Sequence, residues 1–214
     1  MVPPILIHPF RPTDYLPTLD AMRRFTAERQ PAAADEIWLV EHPSVYTMGQ
    51  ASREEHVLTP GDIPVLRTER GGQVTYHGPG QVVAYLMIDL RRRHLTVHDF
   101  VSRIEDAAID LLAGYGVAAT RRPAAPGVYL AQPDGSAGAK IASLGIKISR
   151  GCSYHGVALN VAMDLEPFSR IDPCGYPGLA VTDLRQCTGD AEPDVAAVAA
   201  AFGRVLAGHI ESKT

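Results

Sequence analysis

The chain has little cysteine, little lysine and no long apolar run, and each scarcity excludes a class of protein. Only three cysteines occur in 214 residues, so they cannot all pair internally, and none follows the C-x-x-C spacing of zinc sites. We therefore expect free thiols in a reducing compartment. No apolar run approaches the roughly 18 residues of a membrane span. Residues 1–8 lack the basic start and long apolar core of a signal peptide. These absences predict a cytoplasmic protein without a membrane partner.

Motifs for nucleotides and nucleic acids are also missing. The sequence contains neither the Walker order G-x-x-x-x-G-K-[ST] nor the dinucleotide fingerprint G-x-G-x-x-G. A net charge of −4 argues against nucleic acid, because binding to phosphates requires a strong basic field. We expect no cofactor, no metal and no nucleic acid. Apolar residues at 46% and charged residues at 21% are typical of a globular protein.

The patterns along the chain favour the α+β class. Residues 82–90 (VVAYLMIDL) form a near-continuous apolar strand that should be central in a sheet. Thr96 and Asp99 mark the start of the clearest helix. Strands and helices mix without strict β-α-β alternation, which predicts a mixed sheet with helices on one side. No repeat or linker divides the chain, so we expect one domain over 1–214, acting as a monomer.

Cys174 lies where the backbone must turn, in the sequence Pro173-Cys174-Gly175. Proline fixes its own φ, and glycine permits turns that other residues avoid. A thiol on such a bend can be aimed rigidly, as a nucleophile must be. The alternative is a small packing residue under a loop, which is the role expected for Cys152 and Cys187.

A glycine-rich segment with polar side chains lies at 70–81 (RGGQVTYHGPGQ). Gly71 and Gly72 would allow backbone amides to approach a ligand closely, while Thr75, Tyr76 and His77 supply polar groups. The segment is either a ligand-facing loop or a tight hairpin that needs glycine.

Strand alternation separates the lysines of 140–149 (KIASLGIKIS). Lys140 shares a face with apolar side chains and should point inward, whereas Lys147 should point toward water. A bulge at Gly145 would reverse this assignment. An inward lysine is costly unless it is paired or functional, and the alternative is a lysine that snorkels at a strand end. His155 is a further residue that is either a base or structural.

Four ordered blocks resemble one enzyme family: RGGQVTYHGPGQ at 70–81, KIASLGIKISRG at 140–151, HGVALNVAMDL at 155–165 and PCGYPGLAVTDL at 173–184. The sequence is similar to the lipoyl octanoyltransferases of the biotin/lipoate protein ligase superfamily. The resemblance implies a mixed sheet flanked by helices, with catalytic residues at Cys174 and Lys140. It also implies an acyl-substrate site formed by Arg70, Gly71, Gly72, Gln73, Val74, Thr75, Tyr76, His77, Ser143, Leu144, Gly145, Gly156, Val157 and Ala158.

The resemblance implies octanoyl transfer without ATP. Cys174 would attack the thioester of octanoyl-acyl carrier protein, and the resulting acyl-enzyme would be attacked by a lysine of the acceptor. Lys140 would handle the proton, starting either as an ammonium beside a thiolate or as a neutral amine. The implied acceptors are the lipoyl domains of 2-oxoacid dehydrogenase complexes and the glycine-cleavage H protein. The rival functions are an ATP-dependent lipoate or biotin ligase, a cysteine thioesterase and a non-catalytic acyl-binding protein.

Both implied protein substrates are acidic, so a local basic docking face is expected despite the negative total charge. The candidates for this face are Arg67, Arg70, Arg121, Arg122, Lys147 and Arg150.

Overall fold

The computed structural model describes residues 2–189 and 193–212. The single-domain prediction for 1–214 includes residues outside this description and stays a prediction. The strands are β1 Leu6–Pro12, β2 Glu36–Glu41, β3 Val45–Met48, β4 Val65–Arg67, β5 Val74–His77, β6 Gln81–Met87, β7 Ala119–Thr120, β8 Gly127–Ala131, β9 Ala137–Ser149 and β10 Cys152–Asn160. The helices are α1 Tyr15–Glu28, α2 Val97–Gly114, α3 Leu184–Thr188 and α4 Val195–Glu211.

Seven strands form one mixed sheet in the order β1-β2-β6-β10-β9-β8-β7. The β1–β2 pair is parallel, and the pairs from β2 to β7 are antiparallel. A second sheet of three strands has the order β4-β3-β5. The mixed α+β architecture agrees with the predicted fold class.

The strand β6 is buried along its whole length, as its continuous apolar sequence predicts. Successive side chains of a strand point to opposite faces. Val82 and Leu86 accordingly pack in a core beneath α2 and α4, whereas Val83 and Met87 pack in a second core beneath α1. Helices therefore cover both faces of the sheet, and the prediction of helices on one side alone is wrong. The reason is that β6 has an apolar side chain at nearly every position, so both of its faces need cover.

The start of α2 is fixed by a capping box, as the sequence predicts. Thr96 Oγ1 accepts a hydrogen bond of 3.1 Å from Asp99 N, and Asp99 Oδ2 accepts one of 3.2 Å from Thr96 N. Two otherwise unpaired backbone donors are thereby satisfied. The last helix begins at Val195, with Asp194 as its N-cap, slightly after the predicted start at Pro193.

The second sheet brings the glycine-rich segment onto the first sheet. Gly71 N donates to Ile146 O at 2.9 Å, which joins the segment before β5 to β9. A third apolar core supports this sheet from the side away from β9, and it contains Tyr46, Tyr76 and Phe168. Within the described part of the chain, no helix combines the length and hydrophobicity that a membrane crossing requires.

Candidate active site

Cys174 occupies a strained turn, as the flanking proline and glycine predict. Its backbone has φ 56° and ψ 20°, a left-handed conformation that is uncommon for residues other than glycine. The turn is held from both sides: Asp172 N donates to His56 O at 2.9 Å, and Gly175 N donates to Asp172 O at 2.9 Å. His56 Nδ1 also lies 3.2 Å from the Asp172 carboxylate. The sulfur is therefore displayed on a fixed bend and remains partly exposed.

Lys140 is buried, with 2% of its surface exposed, and its amine lies beside the sulfur of Cys174. The Nζ atom is 3.0 Å from Cys174 Sγ and 3.0 Å from Pro126 O. It also lies 5.1 Å from the centre of the Tyr129 ring. Burial opposes charge on Lys140, but the attraction of the Cys174 thiolate and the hydrogen bond to it outweigh burial, so the pKa of Lys140 is raised. Lys140 is therefore an ammonium at neutral pH.

A glycine makes room for this lysine. Gly127 has φ 133°, and a Cβ atom placed on it would lie 2.5 Å from Lys140 Cε. Any side chain at this position would displace the aliphatic part of the lysine. The register of β9 with β10 is continuous from Ala142 to Ser149, so Gly145 does not form the bulge considered from the sequence. The register shifts twice instead on the side that faces β8, once at Ile141 and once between Ala137 and Lys140.

Of the two lysines of β9, Lys140 is the more buried, as predicted, but Lys147 is less exposed than predicted. Lys140 is buried, whereas Lys147 is half-buried beside Tyr154 of the neighbouring strand. Lys147 therefore does not stand free in solvent.

Cys174 lies at a cavity of about 370 Å³ between the glycine-rich segment and the sheet. Most of the predicted substrate residues line it: Arg70, Gly71, Gly72, Gln73, Val74, Thr75, His77, Ser143, Leu144, Gly145, Gly156, Val157 and Ala158. His155 also lines the cavity. Segments far apart in sequence thus converge on one space. Its size is within the range of small-molecule sites in proteins.

Tyr76 is the predicted substrate residue that points away from the cavity. Along β5 its neighbours Thr75 and His77 face the cavity, and alternation turns Tyr76 to the opposite side. Its hydroxyl lies 2.9 Å from Ser44 Oγ, and its ring contacts Phe168 edge-on at 5.5 Å between ring centres. Tyr76 therefore supports the third core and does not reach a ligand in the cavity.

Arg70 is a buried cation at the wall of the cavity. Its Nε donates to Thr47 Oγ1 at 3.1 Å, its Nη2 to Thr47 O at 2.5 Å, and its Nη1 to Gly71 O at 2.9 Å. Burial lowers the pKa of Arg70. Because the guanidinium is bound by uncharged oxygens, it fixes the loop that closes the cavity. It is not exposed and cannot belong to the predicted docking face.

Three buried residues that the sequence analysis did not single out lie behind the cavity. Tyr15 and Tyr85 line it, and Tyr85 Oη lies 2.7 Å from His42 Nε2. His42 Nδ1 lies 2.7 Å from Thr13 O, so Nδ1 carries the proton and Nε2 accepts from the tyrosine. Burial lowers the pKa of His42 to about 4. The sequence offered one signal, the polar residue His42 directly after the apolar strand 36–41, but this signal does not indicate which residues His42 contacts.

His77 belongs to the same polar wall. It stacks on Tyr15 with 5.9 Å between ring centres, and its Nδ1 lies 2.7 Å from Gln81 Oε1. Burial, assisted by the charge of His42, lowers the pKa of His77 to about 3. His77 is therefore a neutral group at physiological pH. Among residues 2–189 and 193–212, no cluster of three His, Cys, Asp or Glu side chains could hold a metal ion.

Comparison with known proteins defines the class to which this fold and site belong. The sequence model of the lipoyl protein ligase A/B catalytic domain matches residues 14–207. The chain is a member of this family. A bi-partite lipoate protein ligase of Thermoplasma acidophilum, described together with its E2 lipoyl domain, has a similar fold with a TM-score of 0.71. The two are 14% identical, and the match covers 95% of this chain and 84% of that one. The predicted superfamily and fold are confirmed.

Two relatives with high sequence identity to this chain are both named octanoyltransferase. The octanoyltransferase of Pseudomonas putida strain W619 is 62% identical over 180 residues, which is 84% of this chain and 81% of the relative. The octanoyltransferase of Cupriavidus necator is 54% identical over 215 aligned positions, covering 92% of this chain and 80% of the relative. The family resemblance stated from the sequence is confirmed at the level of these relatives.

Proposed function

We propose that this chain is an octanoyltransferase of lipoate biosynthesis that uses Cys174 as its nucleophile and Lys140 as its proton carrier. The observation that carries the proposal is the 3.0 Å distance between Lys140 Nζ and Cys174 Sγ. Cys174 of this pair lines a cavity of about 370 Å³, and the chain is 62% identical over 180 residues to an octanoyltransferase. Octanoyl-acyl carrier protein is the proposed donor. Lipoyl domains, including those of 2-oxoacid dehydrogenase complexes and the glycine-cleavage H protein, are the proposed acceptors.

The first half-reaction transfers the acyl group to the enzyme. The Cys174 thiolate attacks the carbonyl carbon of the donor thioester, and the carbon–sulfur bond to the donor breaks as the tetrahedral intermediate collapses. The Lys140 ammonium gives its proton to the departing thiolate of the donor. The raised pKa of Lys140 suits this sequence, because the amine holds the proton until a thiolate leaves.

The second half-reaction transfers the acyl group to the acceptor. The neutral amine of the acceptor lysine attacks the thioester carbonyl, an amide bond forms and Cys174 leaves as a thiolate. The neutral Lys140 takes the proton that the attacking nitrogen loses, which restores the starting pair. An amide is more stable than a thioester because its resonance is stronger, so the transfer runs downhill and needs no nucleotide.

A backbone amide that already donates a hydrogen bond within the fold is not available to stabilise the tetrahedral oxyanion. Gly71 N already donates to Ile146 O at 2.9 Å, and Gly175 N already donates to Asp172 O at 2.9 Å. Neither amide is free for an oxyanion, although Gly71 was one of the glycines considered from the sequence. Electrostatic stabilisation of the oxyanion therefore has to come from other groups on the cavity wall.

The acyl chain is proposed to lie between aliphatic and glycine positions of the two central strands. Val83 and Ala158, which share one face of the sheet, supply apolar surface, and Gly145 and Gly156 leave space beside them. Burial of one methylene contributes about 0.8 kcal/mol, so an octanoyl chain could contribute about 5 kcal/mol. This contribution favours binding of a medium-length chain over binding of a short one.

The proposed docking face for acidic partners is smaller than the sequence suggested. Arg67 pairs with Glu54 at 2.6 Å, and Arg121 pairs with Glu105 at 3.0 Å and with Asp106 at 2.5 Å. Arg122 is exposed, and its guanidinium lies 5.1 Å from the ring centre of Tyr176, which lines the cavity beside Cys174. We assign Arg122 as the cation nearest the mouth for a visiting acidic protein.

We further propose that the protein works as a monomer in the cytoplasm. All three cysteines are free, which suits a reducing compartment. The mouth beside Tyr176, which is 37% exposed, has to admit two different proteins in turn. A site left open in a monomer meets this requirement.

The test is capture of the acyl-enzyme. The protein is mixed with octanoyl-acyl carrier protein, and intact mass followed by peptide mapping is expected to place one octanoyl group on Cys174. Cys174→Ala should abolish the adduct. Cys187→Ala is the matched control and should retain it, because burial raises the pKa of Cys187 and keeps that thiol protonated. An adduct on Cys187, or none on any cysteine, would contradict the proposal. Release of free octanoate without an acceptor would identify a thioesterase instead.

A further inference from the structure

The cavity runs along the central strands away from Cys174. Gly127 touches the Lys140 side chain and pairs with Ser143, which places the catalytic pair at the level of Ser143. On β10, Ala158 pairs with Ser143, and His155 pairs with Ile146. A strand rises about 3.3 Å per residue, so His155 lies about 10 Å further along the sheet. This distance is comparable to the length of a medium acyl chain.

The far end of the cavity is polar, unlike the wall between. Tyr15 and His155 both line the cavity and are 5% and 1% exposed. Neither Tyr15 Oη nor His155 Nε2 has a hydrogen-bond partner within the described part of the chain. The nearest acidic atom to His155 Nε2 is Glu69 Oε1 at 3.9 Å, which is too long for a hydrogen bond. The cavity is therefore lined by two residues whose buried polar atoms make no hydrogen bond.

Such atoms discriminate between acyl chains of different length. A buried hydroxyl or imidazole without a hydrogen bond is costly, and water is its usual partner in a polar cavity. A chain that ends before the level of His155 leaves room for water at both atoms. A longer chain places methylene groups against Tyr15 and His155 and displaces that water. The penalty falls on the longer chain alone.

We propose that Tyr15 and His155 set the upper limit of acyl-chain length, so that the cavity accepts medium-chain acyl groups and rejects long ones. The inference rests on the proposed function, because it requires the acyl chain to extend from Cys174 into this cavity. The two residues act on specificity and do not touch the reacting carbonyl.

The test compares acyl-carrier-protein donors that carry octanoyl, decanoyl or dodecanoyl chains. The initial rate of acyl-enzyme formation is measured by intact mass for the wild type and for Tyr15→Phe, which removes the hydroxyl alone. The dodecanoyl-to-octanoyl rate ratio is expected to rise about tenfold in Tyr15→Phe. His155→Leu should change the ratio in the same direction. An unchanged ratio in Tyr15→Phe would overturn the inference.

A matched control removes a buried hydroxyl elsewhere. Tyr46 Oη donates to Pro167 O at 2.8 Å and lies in the third core, outside the cavity. Tyr46→Phe should leave the rate ratio as in the wild type. A change of equal size in Tyr46→Phe would assign the effect to general loosening of the fold and would overturn the inference.

A binding measurement separates specificity from catalysis. Octanoate and dodecanoate are titrated into Cys174→Ala and into the double variant Cys174→Ala/Tyr15→Phe. The double variant is expected to bind dodecanoate about tenfold more tightly relative to octanoate. This comparison decides the question even if Tyr15→Phe slows turnover. Absence of acylation in the wild type would refute the proposed function, whereas normal octanoylation with unchanged chain preference would refute the inference alone.

Discussion

Two of the buried charged side chains, Asp35 and Lys140, are surrounded in opposite ways. The Asp35 carboxylate is fully buried and is bound by Arg29, by Arg92 at 2.6 Å and by Arg93 at 2.5 Å. It also accepts a hydrogen bond of 2.8 Å from Asp89 N. Lys140 has one carbonyl and one thiol as its close partners, and none of the described carboxylates forms an ion pair with it.

The partners of a buried charge decide whether it stabilises the fold or takes part in chemistry. Arginine keeps its proton at any physiological pH, so the partners of Asp35 are permanent and the cluster can only stabilise the fold. The partner of Lys140 is a group that can lose a proton, form a bond and leave again. A buried charge with permanent partners holds elements together, whereas a buried charge with one titratable partner is available for proton transfer.

The largest expected effect removes the nucleophile. Cys174→Ser keeps the size of the side chain and the turn, but a hydroxyl beside Lys140 is far less acidic than a thiol. Octanoyl transfer should fall by about 10⁴-fold or more, with the unfolding temperature unchanged. Transfer is measured by mass spectrometry of a lipoyl domain. Near-normal transfer by the serine variant would remove Cys174 from the reaction.

The next largest effect concerns stability and tests the structural role of the Asp35 cluster. Asp35→Ala leaves two buried guanidinium groups and a partly buried one without their carboxylate, which should lower the free energy of unfolding by about 3–5 kcal/mol. Urea unfolding measures this loss. Asp62→Ala, which removes an exposed carboxylate, is the control and should change stability little. Equal stability of the two variants would show that the Asp35 cluster does not support the fold.

Loss of the proton carrier should slow chemistry without unfolding the protein. Lys140→Ala is expected to reduce the single-turnover rate of acyl-enzyme formation by about 10²–10³-fold. Lys140→Arg should not restore it, because a guanidinium cannot give up its proton. Lys147→Ala, on the same strand, should keep the wild-type rate. A full rate in Lys140→Ala would exclude proton transfer by this residue.

The smallest effect concerns pH and the neutral histidines behind the cavity. Burial lowers the pKa of His42 from 6.5 to about 4, so the unfolded state binds a proton more readily than the folded state. The stability from His42 is complete above about pH 6.5 and is lost as pH falls toward 4, by about 3 kcal/mol.

Urea unfolding across this pH range measures the His42 contribution. His42→Gln should make the dependence less steep, and the remaining loss at low pH comes from His77, whose pKa burial lowers to about 3. His98→Gln, at a side chain that is 91% exposed, is the control and should leave the dependence unchanged. An equally steep dependence in His42→Gln would contradict the assignment.

Local sequence signals predicted the parts of the fold whose causes are local. The capping box at Thr96, the continuous apolar run of β6 and the bend at Cys174 each depend on neighbours within a few residues. Burial of Lys140 was predicted from strand alternation and is confirmed, although the irregularity at Ile141 interrupts that alternation between Lys140 and Leu144. The partner of Lys140, Cys174, lies 34 positions away along the chain, so alternation alone could not pair them, and the family resemblance supplied that pairing.

Features that depend on contacts between distant segments were missed. Tyr15, His42 and Tyr85 meet only because α1 packs across the sheet, and nothing in their local sequences indicates this contact. Tyr76 was assigned to the substrate site with its neighbours, although alternation along β5 turns it away. The bulge was considered at Gly145, but the register shifts occur between β8 and β9, at Ile141 and between Ala137 and Lys140, which lie just before the segment that pairs with β10.

The most direct measurement follows an octanoyl group from Cys174 to its acceptor in one turnover. The acyl-enzyme is formed with octanoyl-acyl carrier protein, freed of donor and mixed with a lipoyl domain. We expect the octanoyl group to leave Cys174 and to appear as an amide on a lysine of that domain, with no nucleotide added. An adduct that persists on Cys174, or one that is released only as free octanoate, would contradict this expectation.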